Sequence, residues 1–164
     1  TTWMVKRLRL VRRPTTSGRI SSEFGNRTLN GKPNKHFAID IAMPTGTPVY
    51  ATAPGIVGYT GNVCGISLVI WHNINGKTYS SIYCHLSKQL VKKDQVVTSD
   101  TMIAKSGCTG QCYGAHLHFG LATGKYYGDY RAYYAGKYDS LENHTFNPRD
   151  VVVFPATGKS YSNR

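Results

Sequence analysis

Ala115-His-Leu-His-Phe-Gly-Leu121 alternates polar and apolar side chains, which on a strand sends His116 and His118 to one face and Leu117 and Phe119 to the other. Phe37-Ala-Ile-Asp-Ile-Ala42 repeats the alternation, with Phe37, Ile39 and Ile41 on one face and Ala38, Asp40 and Ala42 on the other. A period of two in both stretches predicts strands with one buried face. Outward from them, residues 66–71 and 77–83 read as a hairpin joined by Asn-Ile-Asn-Gly, and residues 48–53 and 55–59 as a pair of short strands around Pro54-Gly55. Residues 95–98 and 102–104 add two more. No stretch keeps a 3.6-residue period, and 17 Gly and 7 Pro break the chain into short runs. The expected fold is all-β, an antiparallel sheet sandwich or half-open barrel with an open groove and little helix.

The 164 residues, 40% of them hydrophobic, suffice for about one domain with a real core. Twenty Lys and Arg against eight acidic residues leave a formal charge of +12. Such a surface suits an anionic partner (nucleic acid, an acidic membrane face or an acidic cell-wall polymer) or serves solubility alone. A specific nucleic-acid role has the least behind it, since no helix-turn-helix pattern, zinc-finger spacing or aromatic RNA-binding strand is present. Part of the charge is local, in Lys6, Arg7, Arg9, Arg12 and Arg13, with no acid before Glu23. Residues 1–20 read as a basic arm or edge segment, and residues 156–164 as a tail. Residues 124–140 read as a Tyr-rich loop that either lines a groove or packs as surface. No run of 18 apolar residues exists, so no transmembrane segment is expected. The opening at Thr1 without a hydrophobic signal core reads as a mature or trimmed fragment.

Four cysteines allow three complete pairings. Cys64 and Cys84 bracket the hairpin, on neighbouring antiparallel strands and within disulfide reach. Cys108 and Cys112 flank a short loop that they either clip or use to bind metal. Two disulfides would place the protein outside the reducing cytosol; reduced, buried thiols are the other reading.

The chemistry concentrates in His36, Asp40, His85, His116 and His118. The His116-x-His118 spacing on a strand seats a metal with two imidazoles, or sets one ligand beside one base. His36 and Asp40, four apart, share a face on an extended strand with the small Ala38 between them; a helix would also bring them together. Two imidazoles and a carboxylate suit Zn²⁺ and leave a coordination position open, the mark of a catalytic rather than a structural zinc. His72 and His144 read as structural or solvent-exposed.

These residues resemble the lysostaphin-type (LytM) zinc endopeptidases, whose signature is H-x-G-x-D, then Y-x-H-L, then H-L-H-F. Here the motifs are His36-Phe-Ala-Ile-Asp40, Tyr83-Cys-His-Leu86 and His116-Leu-His-Phe119. Ser21-Ser-Glu-Phe-Gly-Asn-Arg27, Gly46-Thr-Pro-Val-Tyr-Ala51, Ser106-Gly-Cys-Thr-Gly110 and Asn147-Pro148 also resemble the family in order and spacing. Departures are Ala38 for the family's Gly, Gly120 where a larger side chain is common, and Asp94 at a turn position where Gly is common.

The resemblance implies a peptidase domain over residues 21–155, with zinc held by His36, Asp40 and His118 and a catalytic pair of His116 and His85. It implies hydrolysis of a peptide cross-link or cross-bridge of bacterial peptidoglycan by a metal-activated water. His116 would take the proton, and His85 would steady the oxyanion or protonate the leaving amine. It also implies an extracellular or cell-wall location, phage-encoded or virion-associated sources included, and a monomer. A catalytically inactive peptidoglycan-binding or enzyme-activating module of the same fold is the rival expectation.

Overall fold

The structure, a computed structural model, describes residues 11–164. Lys6, Arg7 and Arg9 of the basic cluster lie outside the described residues. Among the described residues regular structure is almost all strand, as expected. In order they are β1 (Gly18–Ser22), β2 (Gly25–Leu29), β3 (Lys32–His36), β4 (Ile39–Ala42), β5 (Pro48–Tyr50), β6 (Gly55–Gly61), β7 (Ile66–Ile74) and β8 (Lys77–Gln89). There follow β9 (Val96–Val97), β10 (Met102–Ser106), β11 (His116–Thr123), β12 (Lys125–Tyr126), β13 (Arg131–Tyr134), β14 (Lys137–Ser140), β15 (Thr145–Phe146) and β16 (Ser160–Tyr161). Two 3₁₀ turns, Leu141–Asn143 and Pro148–Asp150, are the only helical elements among the described residues.

The main sheet runs β16-β1-β4-β11-β8-β7-β6-β9, with β15 beside β11 and β5 reaching β8 through β10; every named pairing is antiparallel. No closed barrel forms among the described residues. Strand β11 lies between β4 and β8, which explains the alternation from which the fold was read. Leu117 and Phe119 meet Ile41 and Ile39 on β4, and Phe119 also faces Tyr83 on β8. All five side chains are fully buried. Truncating Phe119 to Ala would cost about 3–5 kcal/mol.

Four expectations change on contact with the structure. Strand β5 pairs with β10 and not with β6, because its other edge is taken: Tyr50 N–H donates to the Pro14 carbonyl at 2.7 Å. Residues 124–140 form a three-stranded meander, β12-β13-β14, rather than a loop. Its second turn runs through Ala135 and Gly136, both at positive φ (51° and 83°), the backbone a tight hairpin requires. The boundary drawn near residue 20 falls inside β1, an interior strand that carries the fully buried Ile20 between β4 and β16. Close packing there demands glycine, since a Cβ on Gly18 would lie 2.4 Å from the Ile41 Cγ2. The segment 156–164, read as a tail, supplies β16 to the same sheet. Both proposed cysteine pairs are disulfide-bonded, Cys64 to Cys84 and Cys108 to Cys112.

Candidate metal centre

The sheet's outer face between β4, β8 and β11 floors an open cleft of about 1010 Å³ that contains His36, Asp40, His85, His116 and His118. Cross-strand register puts His118 directly opposite Asp40, and His116 opposite Ala42. Facing residues on antiparallel strands lie close enough for their side chains to touch.

His36 arrives differently from the way its sequence suggests. On one extended strand, residues four apart are separated by about 13 Å, too far to share an ion. The chain instead breaks at Phe37-Ala38: His36 ends β3, which pairs with β2 in a separate hairpin, and Asp40 sits in β4. The bend brings His36 Nε2 to 3.4 Å from Asp40 Oδ1. Ala38 is buried rather than set between the two side chains, and a Cβ on Gly120 would lie 3.6 Å from it. Gly120 therefore lies under Ala38 and not in the cleft lining.

His85 also depends on an irregularity. Tyr83 points into the core, so an unbroken β8 would send His85 there too. The pairing of β8 with β7 slips between Ile66↔Leu86 and Leu68↔Tyr83, and His85 adopts φ +62°. This bulge turns the imidazole outward. Its ring centroid lies 4.9 Å from that of His116 and 5.9 Å from that of His118.

Main-chain carbonyls decide which nitrogen each imidazole offers. His36 Nδ1 lies 3.0 Å from the Glu23 carbonyl, His85 Nδ1 2.7 Å from that of Thr109, and His116 Nδ1 2.8 Å from that of Gly114. A carbonyl only accepts, so each Nδ1 carries the proton and donates, leaving Nε2 with a free lone pair. His118 instead turns Nδ1 to within 3.4 Å of Asp40 Oδ1. Burial works against the charged form of Asp40, but the neighbouring His118 and His36, when they carry a proton toward it, outweigh burial and hold the carboxyl well below its usual range. Burial lowers the proton affinity of His118, with Asp40 partly opposing. Burial likewise lowers that of His85, against the pull of the Thr109 carbonyl.

Asp40 Oδ1 is buried and accepts no hydrogen bond, although His36 Nε2, His118 Nδ1 and His116 Nε2 approach within 3.4, 3.4 and 3.8 Å. An ionised oxygen left this way is costly. One ligand atom each from His36, Asp40 and His118 lies within 4.8 Å of the others. A divalent cation among them would satisfy the orphaned oxygen, and two nitrogens with one oxygen are a donor set that zinc accepts.

Sequence reading gave no role to several residues that set this geometry. Arg27 Nη1 lies 3.5 Å from Asp40 Oδ2 and donates to Ser22 Oγ at 2.9 Å. Arg149 grips both Glu23 carboxylate oxygens at 2.7 and 2.9 Å, and Thr157 donates to the same carboxylate. This fixes the residue whose carbonyl orients His36. Thr109 sits inside the Cys108–Cys112 ring, and its hydroxyl bonds Ile66 N–H and the Leu86 carbonyl. The motifs 21–27 and 106–110 carried a signal of position but none of role. His72 is buried in the sheet, and His144 packs against Tyr134 in the meander, with ring centroids 5.1 Å apart.

An open β-groove floored by a carboxylate among imidazoles has the make-up of a metal-dependent hydrolase. Residues 34–130, which include all five polar groups, match peptidase family M23, and the chain belongs to that family of metallopeptidases. It is 45% identical over 108 residues to the peptidoglycan DD-endopeptidase ShyA of Vibrio cholerae, a match covering 63% of this chain and 24% of ShyA. The DD-carboxypeptidase/endopeptidase Mpg of Neisseria meningitidis is 35% identical over 65% of this chain and 25% of its own. The chain thus spans about a quarter of the length of these curated relatives. Among solved structures, LytU superposes with a TM-score of 0.65 at 32% identity, covering 81% of this chain and 83% of LytU. A zinc-containing peptidase from Vibrio cholerae gives 0.61 at 31% identity, covering 82% of this chain and 37% of its own.

Proposed function

We propose that the chain is a zinc-dependent endopeptidase that hydrolyses peptide cross-links or cross-bridges of bacterial peptidoglycan. The buried, unpartnered Asp40 oxygen among three imidazole nitrogens carries this reading. His36 through Nε2, Asp40 through Oδ1 and His118 through Nδ1 would hold the ion. When bound, zinc polarises a carbonyl and brings the pKa of a coordinated water to about 7.

The rest is the work of the chain's own groups. His116, its Nδ1–H committed to Gly114, offers Nε2 as the base that takes a proton from water in the cleft. His85, its Nδ1–H committed to Thr109, has no hydrogen on Nε2 while neutral, so it cannot donate to an oxyanion in that state. It donates only once it carries a proton. The His116–His85 pair therefore works as one acid–base unit, taking a proton on one imidazole and delivering it to the leaving amine. The family and the names of the relatives support a peptidoglycan substrate, and the two disulfides support an extracellular or periplasmic site of action. The +12 charge fits anionic wall polymers.

The test pairs zinc content by elemental analysis with mass spectrometry of fragments released from walls of defined chemistry. One equivalent of zinc and peptide-bond scission are expected. Turnover that persists in folded His116→Ala, or in metal-stripped protein, would refute the mechanism.

A further inference from the structure

The Tyr-rich meander contributes only Tyr130 to the cleft. Three of its other rings help wall a second cavity of about 620 Å³, which shares no lining residue with the first. Tyr127, Tyr133 and Tyr134 line it from the meander, Tyr79 and Phe146 from the main sheet, and Lys125 from β12. The rings are held by one another: Tyr127 packs edge-on to Trp71 at 5.2 Å and to Tyr138 at 5.7 Å, and Tyr133 to Tyr138 at 5.3 Å. Tyr133 and Tyr134 are nevertheless 39% and 47% exposed. A preset aromatic surface open to solvent binds with little ordering cost.

The chemistry of these walls is selective. A pyranose presents a face of C–H bonds that packs on an aromatic π-face, while hydroxyl and acetamido groups at its edge bond to tyrosine and threonine hydroxyls. The Lys77 and Lys125 ammonium groups in the lining would donate to hydroxyl and acetamido oxygens of the sugar, and the Asp150 carboxylate in the same lining would accept from its hydroxyls. We propose that this cavity binds the glycan strand, an N-acetylated amino-sugar oligomer stacked on Tyr127, Tyr133 and Tyr134. The inference rests on the reading of the cleft as a peptidoglycan peptidase, since each stem peptide in that polymer hangs from such a strand. Holding sugar and peptide together makes the second contact intramolecular and raises its effective concentration.

The probe is an N-acetylglucosamine tetramer titrated into the zinc-loaded chain, followed by amide chemical shifts. Saturable shifts are expected at Gly124, Lys125 and Ala135, and none at His116 or His118. Tyr134→Ala should weaken binding about tenfold, the loss of one stacked ring, and Lys125→Gln tests the same wall without removing a ring. On intact walls both variants should raise KM at unchanged kcat, while turnover of a short sugar-free peptide stays as in the parent. Absent shifts, shifts confined to the cleft, or binding indifferent to both substitutions would overturn the proposal. So would equal binding of a sugar-free stem peptide at these amides, or shifts that track self-association. Tetramer binding at these amides supports the proposal even if no peptide is cleaved, an outcome that refutes the cleft reading instead.

Discussion

His72 sets an acid limit on the fold that is separable from anything at the metal centre. It lies on β7, is 3% exposed, and is satisfied as a neutral ring: Nδ1–H donates to the Pro54 carbonyl at 2.8 Å and Nε2 accepts from Ser81 Oγ at 2.7 Å. Burial pushes its pKa down from 6.5 to about 4, with the Pro54 carbonyl opposing. Between those values the unfolded chain binds a proton that the folded chain refuses. Stability therefore rises with pH through that window, is free of this penalty above it, and carries the whole of it below. The full gap corresponds to about 3 kcal/mol, of which about 2 kcal/mol falls between pH 7 and pH 5.

The perturbation is His72→Gln, which keeps a donor for Pro54 and an acceptor for Ser81 but cannot titrate. The assay is urea unfolding at about pH 7 and about pH 5, on parent and variant, both stripped of metal by chelator. Protonation of the cleft imidazoles then contributes equally to both proteins and cancels in the difference, since His72 pairs with Tyr79 near the end of β8 remote from Cys84. The variant should be less stable at neutral pH by about 1 kcal/mol, yet lose about 2 kcal/mol less than the parent on acidification. An equal acid loss in the two proteins would refute the assignment of this pH dependence to His72.

Other substitutions separate the roles within the cleft. His118→Ala should abolish zinc binding by elemental analysis, whereas His116→Ala should retain zinc and lose about 10²–10⁴ in kcat. Replacing Cys108 and Cys112 by Ser opens the ring that holds the Thr109 carbonyl against His85. It should cost about 2 kcal/mol of stability by loop entropy and roughly ten- to a hundredfold in kcat with zinc content unchanged. Arg149→Ala frees Glu23, so zinc affinity measured by chelator competition should fall about tenfold; an unchanged affinity would show that the Glu23 carbonyl needs no anchor. Raising salt from about 0.05 to 0.5 M should release the protein from walls while leaving turnover of a soluble peptide unaltered, because only the long-range charge is screened.

Legibility in the sequence follows from what each feature depends on. The alternation in β4 and β11 is written in side chains because both strands press one face on the core, and the β7–β8 hairpin is written in its turn. Strand β5 has three residues and takes its partners from remote segments, so no local pattern marks it. The five polar residues named from sequence do meet in one cleft, but two of the movements that bring them there are backbone events. The bend at Phe37-Ala38 arises because β3 leaves the main sheet to pair with β2, and the bulge at His85 arises where β8 slips against β7. Both are set by pairings between separate strands. The partners of the imidazoles are less visible still, because the oxygens of Glu23, Thr109 and Gly114 that receive Nδ1–H are main-chain oxygens that any residue supplies. Side-chain chemistry can thus name the groups of such a centre, while the choice of nitrogen each one presents, and with it the division between ligand and base, belongs to the path of the backbone.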